Sequence, residues 1–284
     1  MSTVKKIKTI SGNQRIDGLI PGVRGQRAFP INQLRNVSPF IMLDHIGPQK
    51  MDKNYHMDGK AHPHRGFETI TFMFDGIMNH KDSLKNESRL NPGSVQRMNA
   101  GKGIQHGGAM AVHPSTQVFH EVQLWVNLPA KEKMSEPEIH NVSKEEIPLI
   151  RQGNAQIRVI AGQLENTKGP IETIHPINAF HIISEGKQEV KLKGLNANDT
   201  TLVYILKGEI TAEENQIEEH QTLQFENGGD TVQLTTHANT ELLIVTGEPI
   251  NEPLAMGGPF VMNTKDEIKQ AYTDFEAGKF GIVD

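Results

Sequence analysis

Residues 62–76 read HPHRGFETITFMFDG and join a candidate ligand pair to a hairpin. The run TITFMF at 69–74 is β-branched and aromatic, which favours a strand, and the Asp-Gly dipeptide after it is typical of a tight turn. His62 and His64 stand two apart just before this strand, and side chains two apart in an extended chain share a face. The stretch therefore predicts a β-hairpin that carries two imidazoles side by side.

Strand-like segments of this kind recur about every ten residues, separated by turns rich in glycine and proline. The 284 residues include 26 glycines and 15 prolines, and this spacing predicts an all-β sandwich or barrel. The segment TLVYILKGEI at 201–210 repeats TITFMFDGIM at 69–78, and HQTLQF at 220–225 repeats PGSVQR at 92–97. These internal repeats predict a duplicated barrel.

The chain length favours two domains, and a Lys-, Glu- and Pro-rich stretch at 129–148 indicates where they join. We predict an N-terminal metal-binding barrel over 1–135, a linker over 136–148, and a C-terminal barrel over 149–284. The last segment of the chain has apolar residues at helical spacing and a glycine near its end, which predicts a short closing helix: Ile268, Ala271, Tyr272, Phe275 and Gly278.

Composition excludes several classes of function. The chain has no cysteine, so any metal must be held by His, Asp or Glu. The net charge is −5 without a basic cluster, which argues against a nucleic-acid ligand. The sequence contains neither a run of about 20 apolar residues nor a signal peptide. We expect a cytoplasmic monomer that does not contact membranes.

A third histidine, His106, ends the glycine-rich bend GKGIQH, where an adjacent antiparallel strand could bring it opposite the first pair. Three imidazoles suit Fe, Mn, Ni, Cu or Zn and disfavour Mg or Ca, with iron our first expectation. An isolated HxH also arises by chance, so the later histidine is what strengthens the hypothesis. Glu68 shares the parity of His62 and His64 if the extended chain is continuous, and it then offers a carboxylate.

Four stretches together resemble the pirin family of the cupin superfamily: HPHRGFETITFMFDG, PGSVQRMNAGKGIQH, VQLWVNLP and GGPFVMNT. The resemblance extends nearly end to end and includes IMLDHIGP at 41–48. It implies two cupin-type antiparallel β-barrel (jelly-roll) domains. It also implies a single metal in the N-terminal domain and a C-terminal barrel without metal.

By this resemblance the metal ligands are His62, His64, His106 and a glutamate two residues after the last of them. Position 108 is Gly108, so the family's fourth ligand and candidate base is absent here. Loss of an anionic ligand weakens metal affinity. The sequence therefore predicts a site with three protein ligands and an unassigned proton acceptor.

Alternatives remain for the fourth position. Our first expectation is no further protein ligand, the second is Glu68, and the third is His120 or Glu121, at the start of the VQLW strand. Glu68 is also a candidate base, or it could pair with Arg65 and support the ligand strand. Trp125 is expected to fill the core.

The repeat offers an internal control for the metal site. A shift of 132 residues places Gly194, Asn196 and Thr200 at the positions of the histidine pair and Glu68, and Leu234 falls opposite His106. None of these residues supplies an imidazole or a carboxylate. The second barrel is therefore expected to hold no metal.

Two classes of function follow from the resemblance. The first is a metal-dependent dioxygenase of the quercetinase type, which would take a flavonol-like small molecule and dioxygen. The second is a non-catalytic regulatory module that binds a protein partner, with a redox-sensitive or vestigial metal site. Absence of the carboxylate at Gly108 favours the second reading, and fold alone does not decide between them.

Overall fold

The computed structural model describes residues 2–283, and these form a mostly β protein with one α-helix. About 55% of the chain is strand. The predicted all-β class and the pair of cupin jelly rolls are confirmed, although no sheet closes into a full barrel within the described residues.

The first half of the chain supplies twelve strands: β1 (Ile7–Ser11), β2 (Gln14–Arg15), β3 (Gly25–Phe29), β4 (Phe40–Lys50), β5 (His56–His64), β6 (Phe67–Asp75), β7 (Ile77–Asp82), β8 (Glu87–Leu90), β9 (Val95–Asn99), β10 (Ile104–Ala111), β11 (Val118–Asn127) and β12 (Glu138–Val142). The second half supplies the remaining strands and the helix: β13 (Leu149–Gln152), β14 (Ala155–Ala161), β15 (Gln163–Leu164), β16 (Thr167–Lys168), β17 (Ile177–Ser184), β18 (Gln188–Lys193), β19 (Thr200–Lys207), β20 (Glu209–Ala212), β21 (Asn215–Glu218), β22 (Thr222–Phe225), β23 (Thr231–Thr236), β24 (Thr240–Gly247), β25 (Ala255–Gly257), β26 (Phe260–Met262) and α1 (Lys265–Glu276). Two short 3₁₀ turns lie at Ala130–Glu132 and Lys144–Glu146.

Two compact units divide the chain, and each is discontinuous in sequence. The histidine unit consists of residues 16–25, 40–144 and the chain from 250 onward. The companion unit consists of the chain up to residue 15, 26–39 and 145–249.

This division differs from the predicted one at both ends of the chain. The prediction placed β1 in the first domain, but β1 pairs with β22 in the companion unit. It placed α1 in the second domain, but Ala271 of α1 packs with Phe260 and Phe280 in the histidine unit. Strand pairing and apolar burial, which link residues far apart in sequence, decide these assignments.

Two antiparallel sheets build the histidine unit. One has the order β12-β9-β6-β11-β4, and the other has the order β5-β10-β7-β8. On β11, Trp125 pairs with Thr69 of β6 and Met42 of β4, so these three side chains share one face. That face looks onto β5, because the Trp125 ring lies 5.4 Å from the His64 ring between centroids.

The companion unit repeats this strand order, which agrees with the internal repeats in the sequence. Its sheets run β1-β22-β19-β24-β17-β14-β13 and β18-β23-β20-β21, so β18 and β23 correspond to β5 and β10. Val190 and Leu192 of β18 pair with Leu234 and Val232 of β23, and all four are fully buried in an apolar core. The constant shift of 132 residues does not follow the structure, because six residues separate β18 from β19 but only two separate β5 from β6.

The predicted closing helix is present as α1. Thr264 caps its N-terminus in a capping box with Glu267, and Gly278, with φ of 75°, follows its last turn. Among residues 2–283, no helix is long and apolar enough to cross a membrane.

Candidate metal centre

Adjacent strands bring three histidines together. His106 of β10 is the direct register partner of His62 on β5, and Ile104 of β10 pairs with His64. Each histidine offers one ring nitrogen such that all three nitrogens lie within 4.8 Å of one another. Within residues 2–283, this is the one group of three or more His, Cys, Asp or Glu side chains arranged to hold a metal ion.

Hydrogen bonds on the far sides of the rings fix which nitrogens face inward. Nδ1 of His62 lies 3.1 Å from the carbonyl oxygen of Lys60, and Nδ1 of His64 lies 3.4 Å from that of Pro259. A carbonyl only accepts, so each Nδ1 carries the proton and each Nε2 keeps a free lone pair. Both rings can therefore offer Nε2 to a metal.

His106 carries the observation that most favours a metal. Its Nε2 is buried and has no hydrogen-bond partner in the described structure. Burying a polar nitrogen without a partner costs on the order of 1–3 kcal/mol, so such atoms are rare in native proteins. Its ring centroid lies 4.4 Å from that of His62 and 5.0 Å from that of His64, so the ring that carries the orphaned atom lies beside the other two.

The surroundings of His64 and His106 lower the pKa of each imidazole and so favour its uncharged form. Burial, followed by the neighbouring His62, lowers the pKa of His64 to about 3. Burial and the other histidines also lower the pKa of His106 well below its usual value. Both imidazoles are therefore neutral at physiological pH, which is the form that binds metal. His62 is exposed, so the site opens to solvent.

Glu68 does not join the histidines. Its carboxylate accepts a hydrogen bond of 2.6 Å from Nε of Arg97, and it pairs with Val126, on the face of β11 opposite Trp125. The expected shared parity fails because the extended chain is interrupted: Gly66 has φ of 86° between β5 and β6. Arg65 likewise pairs with Asp274 and not with Glu68.

Gly108 has a backbone that suits glycine. Its φ is 143°, next to a bulge in the pairing of β10 with β5, and a Cβ built there would lie 1.8 Å from the carbonyl oxygen of Asn79. L side chains rarely adopt this conformation. The family's carboxylate is therefore absent, and the local backbone does not admit it.

A buried histidine and aspartate lie beside the three ligands. His80 pairs with Gly108 in register, and its ring centroid lies 5.4 Å from that of His106. Nε2 of His80 lies 2.9 Å from Oδ2 of Asp82. Burial alone would raise the pKa of Asp82, but hydrogen bonds from His80, Asn86 and the backbone outweigh it and lower this pKa.

The two remaining candidates for the fourth position separate onto opposite faces of β11. His120 lies 2.8 Å from His45 between Nε2 atoms, and it packs against Phe74 on the face away from the site. Glu121 alternates with Trp125 at even spacing and so lies on the face toward His64. Glu121 is 3% exposed, and its Oε2 has no hydrogen-bond partner in the described structure.

The segment after residue 250 supports the ligand strand. Pro259 accepts the hydrogen bond from His64, and Arg65 donates to Asp274 of α1 at 2.8 Å. Nζ of the buried Lys133 donates to the carbonyl oxygens of Gly66 and Val261, at 2.8 and 3.1 Å. The C-terminal segment is thus part of the structure that supports the candidate metal centre.

Sequence reasoning missed several of these residues. Trp125 was expected only to fill the core, yet its ring also contacts His64. His80 and Asp82 carry a usable signal, because they stand two apart directly after the Asp-Gly turn, the same spacing as His62 and His64. Pro259 carries none, since its contribution is a backbone carbonyl.

Comparison with known proteins agrees with this architecture. The pirin family model matches residues 22–126, and the pirin C-terminal cupin domain model matches residues 179–281. A crystal structure named quercetin 2,3-dioxygenase from Acinetobacter baumannii has a TM-score of 0.90 at 33% identity, covering 98% of this chain and 99% of that one.

Curated relatives cover the full length as well. A Pseudomonas aeruginosa protein, whose name gives quercetin 2,3-dioxygenase as a provisional activity, is 33% identical over 285 residues, covering 98% of this chain and 99% of the relative. Human pirin is 32% identical over 294 residues, covering 99% and 96% of the two chains. With two family models matched and relatives of this similarity over its whole length, the chain belongs to the pirin family.

Proposed function

We propose that this protein is a metal-dependent dioxygenase that acts on a flavonol of the quercetin type. The metal would be held by His62, His64 and His106, with iron our first choice and Mn, Ni, Cu or Zn compatible with the same donors. The observation that carries the proposal is the orphaned Nε2 of His106 among two imidazoles whose Nε2 atoms are free. A relative and a solved structure with quercetin 2,3-dioxygenase in their names support the choice of reaction.

The residues of the site have separate roles. When bound, the metal would act as a Lewis acid that orients an oxygen donor of the substrate and favours its anion. Exposed His62 leaves an approach from solvent. Phe67 and Trp125, with ring centroids 4.1 Å apart, give the site an apolar aromatic wall beside His64, which suits a flat phenolic substrate.

Metal content tests the site directly. Protein purified without a histidine tag is expected to bind about one transition-metal ion per chain, because the companion unit has Val190, Leu192 and Leu234 in the corresponding strands. Elemental analysis after reconstitution should show near-complete loss of metal in His62→Ala and His106→Ala.

Two control variants separate loss of ligands from loss of fold. His56→Ala changes an exposed histidine on β5 that pairs with Asp58, and it should retain the metal. Glu68→Gln should retain it too, because Glu68 lies on the opposite face of β6 from the site. A wild type that takes up no metal would disprove the site, and metal lost equally from the controls would assign the effect to unfolding.

Oxygen uptake with quercetin then tests the reaction. We expect uptake by the metal-loaded wild type and none by the metal-free protein or His106→Ala. Full metal occupancy without oxygen uptake would disprove the dioxygenase and favour the regulatory, protein-binding alternative.

A further inference from the structure

Glu121 is the feature of this site that the three-histidine centre leaves unexplained. It lies on β11 between Ile46 of β4 and Met73 of β6, its register partners, both of which are in an apolar cluster. One carboxylate oxygen is fully buried and unpartnered in the described structure. A buried carboxylate without a hydrogen bond or ion pair is costly, so packing gives no reason for a glutamate at this position.

The direction of the Glu121 side chain follows from the alternation of side chains along β11. Side chains at 121, 123 and 125 alternate onto one face of β11, and Trp125 at the end of this series contacts the ring of His64. Oε1 of Gln123 accepts the hydrogen bond from Nε1 of Trp125, and no described group donates to the buried Oε2 of Glu121. Glu121 therefore looks into the same interior as the three histidines.

We infer that Glu121 supplies the carboxylate that position 108 does not, and that it accepts a proton from the substrate bound at the three histidines. This inference rests on the proposed function. In the step, the O–H bond of the flavonol hydroxyl breaks, the proton moves to the Glu121 carboxylate, and the electron pair stays on the substrate oxygen. No oxidant or reductant is needed, because this step precedes the reaction with dioxygen.

The chemistry of the carboxyl group supports this role. Burial raises the pKa of Glu121 to about 7, which is near the pH at which a general base is most effective. Glu121 lies outside the compact group of three histidine nitrogens, which fits a base better than a ligand. Other titratable groups on the interior faces of the packed strands are Asp44 on β4, His80 and Asp82 on β7, and the three histidines on β5 and β10.

Glu121→Gln tests the inference because it keeps the size of the side chain and removes the base. Glu121→Asp keeps a carboxylate, and Glu138→Gln is the matched control, since Glu138 pairs with Arg97 in the same unit and lies outside the site. Each protein is loaded with metal, its metal content is measured, and quercetin is then titrated anaerobically across a range of pH. Ionised quercetin absorbs at longer wavelength than the neutral form, so absorbance reports the proton on the bound ligand.

We expect full metal content in all variants, with bound quercetin ionised near neutral pH in wild type and in Glu138→Gln. In Glu121→Gln, ionisation should move to higher pH, and kcat should fall about 10²-fold or more with the base-dependent limb of its pH profile lost. Glu121→Asp should restore part of the ionisation of bound quercetin near neutral pH and part of kcat.

Several outcomes would overturn the inference. Bound quercetin that ionises at the same pH in Glu121→Gln as in wild type would show that another group takes the proton. Loss of metal from Glu121→Gln would make the carboxylate a ligand and not a base. A metal-loaded wild type that binds no quercetin would overturn the proposed function itself, and the inference with it.

Discussion

At the scale of single residues, two positions decide which carboxylate the candidate site has. Gly108 stands where the ligand glutamate is expected, and its φ of 143° and close approach to Asn79 exclude a side chain. Glu121 is buried without a partner for its Oε2 on the face toward the histidines. Sequence alone ranked Glu121 last among the candidates, because the facing of the β11 side chains is set by register with β4 and β6.

The first prediction concerns Gly108→Glu. Because a Cβ at this position would lie 1.8 Å from a backbone oxygen, the variant should shift β7 or β10 and lose about 2 kcal/mol or more of stability. Metal content should fall and not rise. Chemical denaturation measures the stability, and elemental analysis measures the metal content.

A matched change at Gly12 controls for the added glutamate, since a Cβ there meets no atom within 4 Å and its φ is not positive. Gly12→Glu should leave stability within about 0.5 kcal/mol of wild type. A Gly108→Glu protein that is stable and binds metal more tightly would show that the backbone adapts to the family's ligand.

The second prediction concerns the pH dependence of stability in the metal-free protein. The pKa of Glu121 is about 7 in the folded chain against 4.5 as the ordinary value, so between these pH values the folded state holds a proton that the unfolded state has released. The contribution of Glu121 to the free energy of unfolding therefore falls as pH rises through that window, by up to about 3 kcal/mol. Glu121→Gln should be more stable than wild type above pH about 7 and similar to it below pH about 4.5.

Urea denaturation of both proteins at several pH values measures the difference in unfolding free energy. All other titrating groups are shared, so the difference isolates Glu121. A constant difference across the window would show that Glu121 does not titrate there. Added metal should reduce the difference, because a nearby cation favours the carboxylate.

At the scale of elements, the sequence predicted the individual strands and the helix near the site better than it predicted how they pack together. The hairpin after residue 69 and the helix near the C-terminus follow from residue patterns, and both are present. The parity argument for Glu68 was wrong because Gly66 turns the chain between β5 and β6. Docking of α1 beside the ligand strand had no sequence signal, since it depends on contacts between residues far apart in sequence: the pair of Arg65 with Asp274, and the packing of Ala271 with Phe260 and Phe280.

The third prediction concerns this pair. Arg65 and Asp274 are buried, 2.8 Å apart, and Asp274 also accepts hydrogen bonds from Lys279 and Gln270. Asp274→Ala leaves the Arg65 guanidinium buried without its partner, which should cost about 3 kcal/mol. The hydrogen bonds from Lys279 and Arg65 hold the pKa of Asp274 below its usual range, so its contribution is present above pH about 4 and is lost as pH falls further.

Asp266→Ala on the same helix is the control, because Asp266 is exposed and forms an ion pair with the exposed Lys269. Its loss should leave the free energy of unfolding close to that of wild type, because solvent screens an exposed ion pair. Equal effects of the two variants in a denaturation series would show that the buried pair does not hold the helix in place.

At the scale of the whole molecule, the sequence predicted the duplication and the absence of a second ligand set. Both units share a strand order, and the strands that carry histidines in one carry valine and leucine in the other. The extents of the units were not predicted, because β1 and the segment after residue 250 each pack far from their sequence neighbours. Local composition marks a linker but does not report which sheet a terminal segment joins.

The discontinuous histidine unit has a consequence for biosynthesis. The three histidines leave the ribosome before two groups that support them, because the carbonyl of Pro259 that holds the His64 ring and the Asp274 that pairs with Arg65 lie far beyond them in the chain. The supported arrangement of the histidines therefore exists only after the chain has been translated through Asp274. A chain that stops short of residue 250 would expose its imidazoles without their support, so we expect such a chain to bind metal poorly.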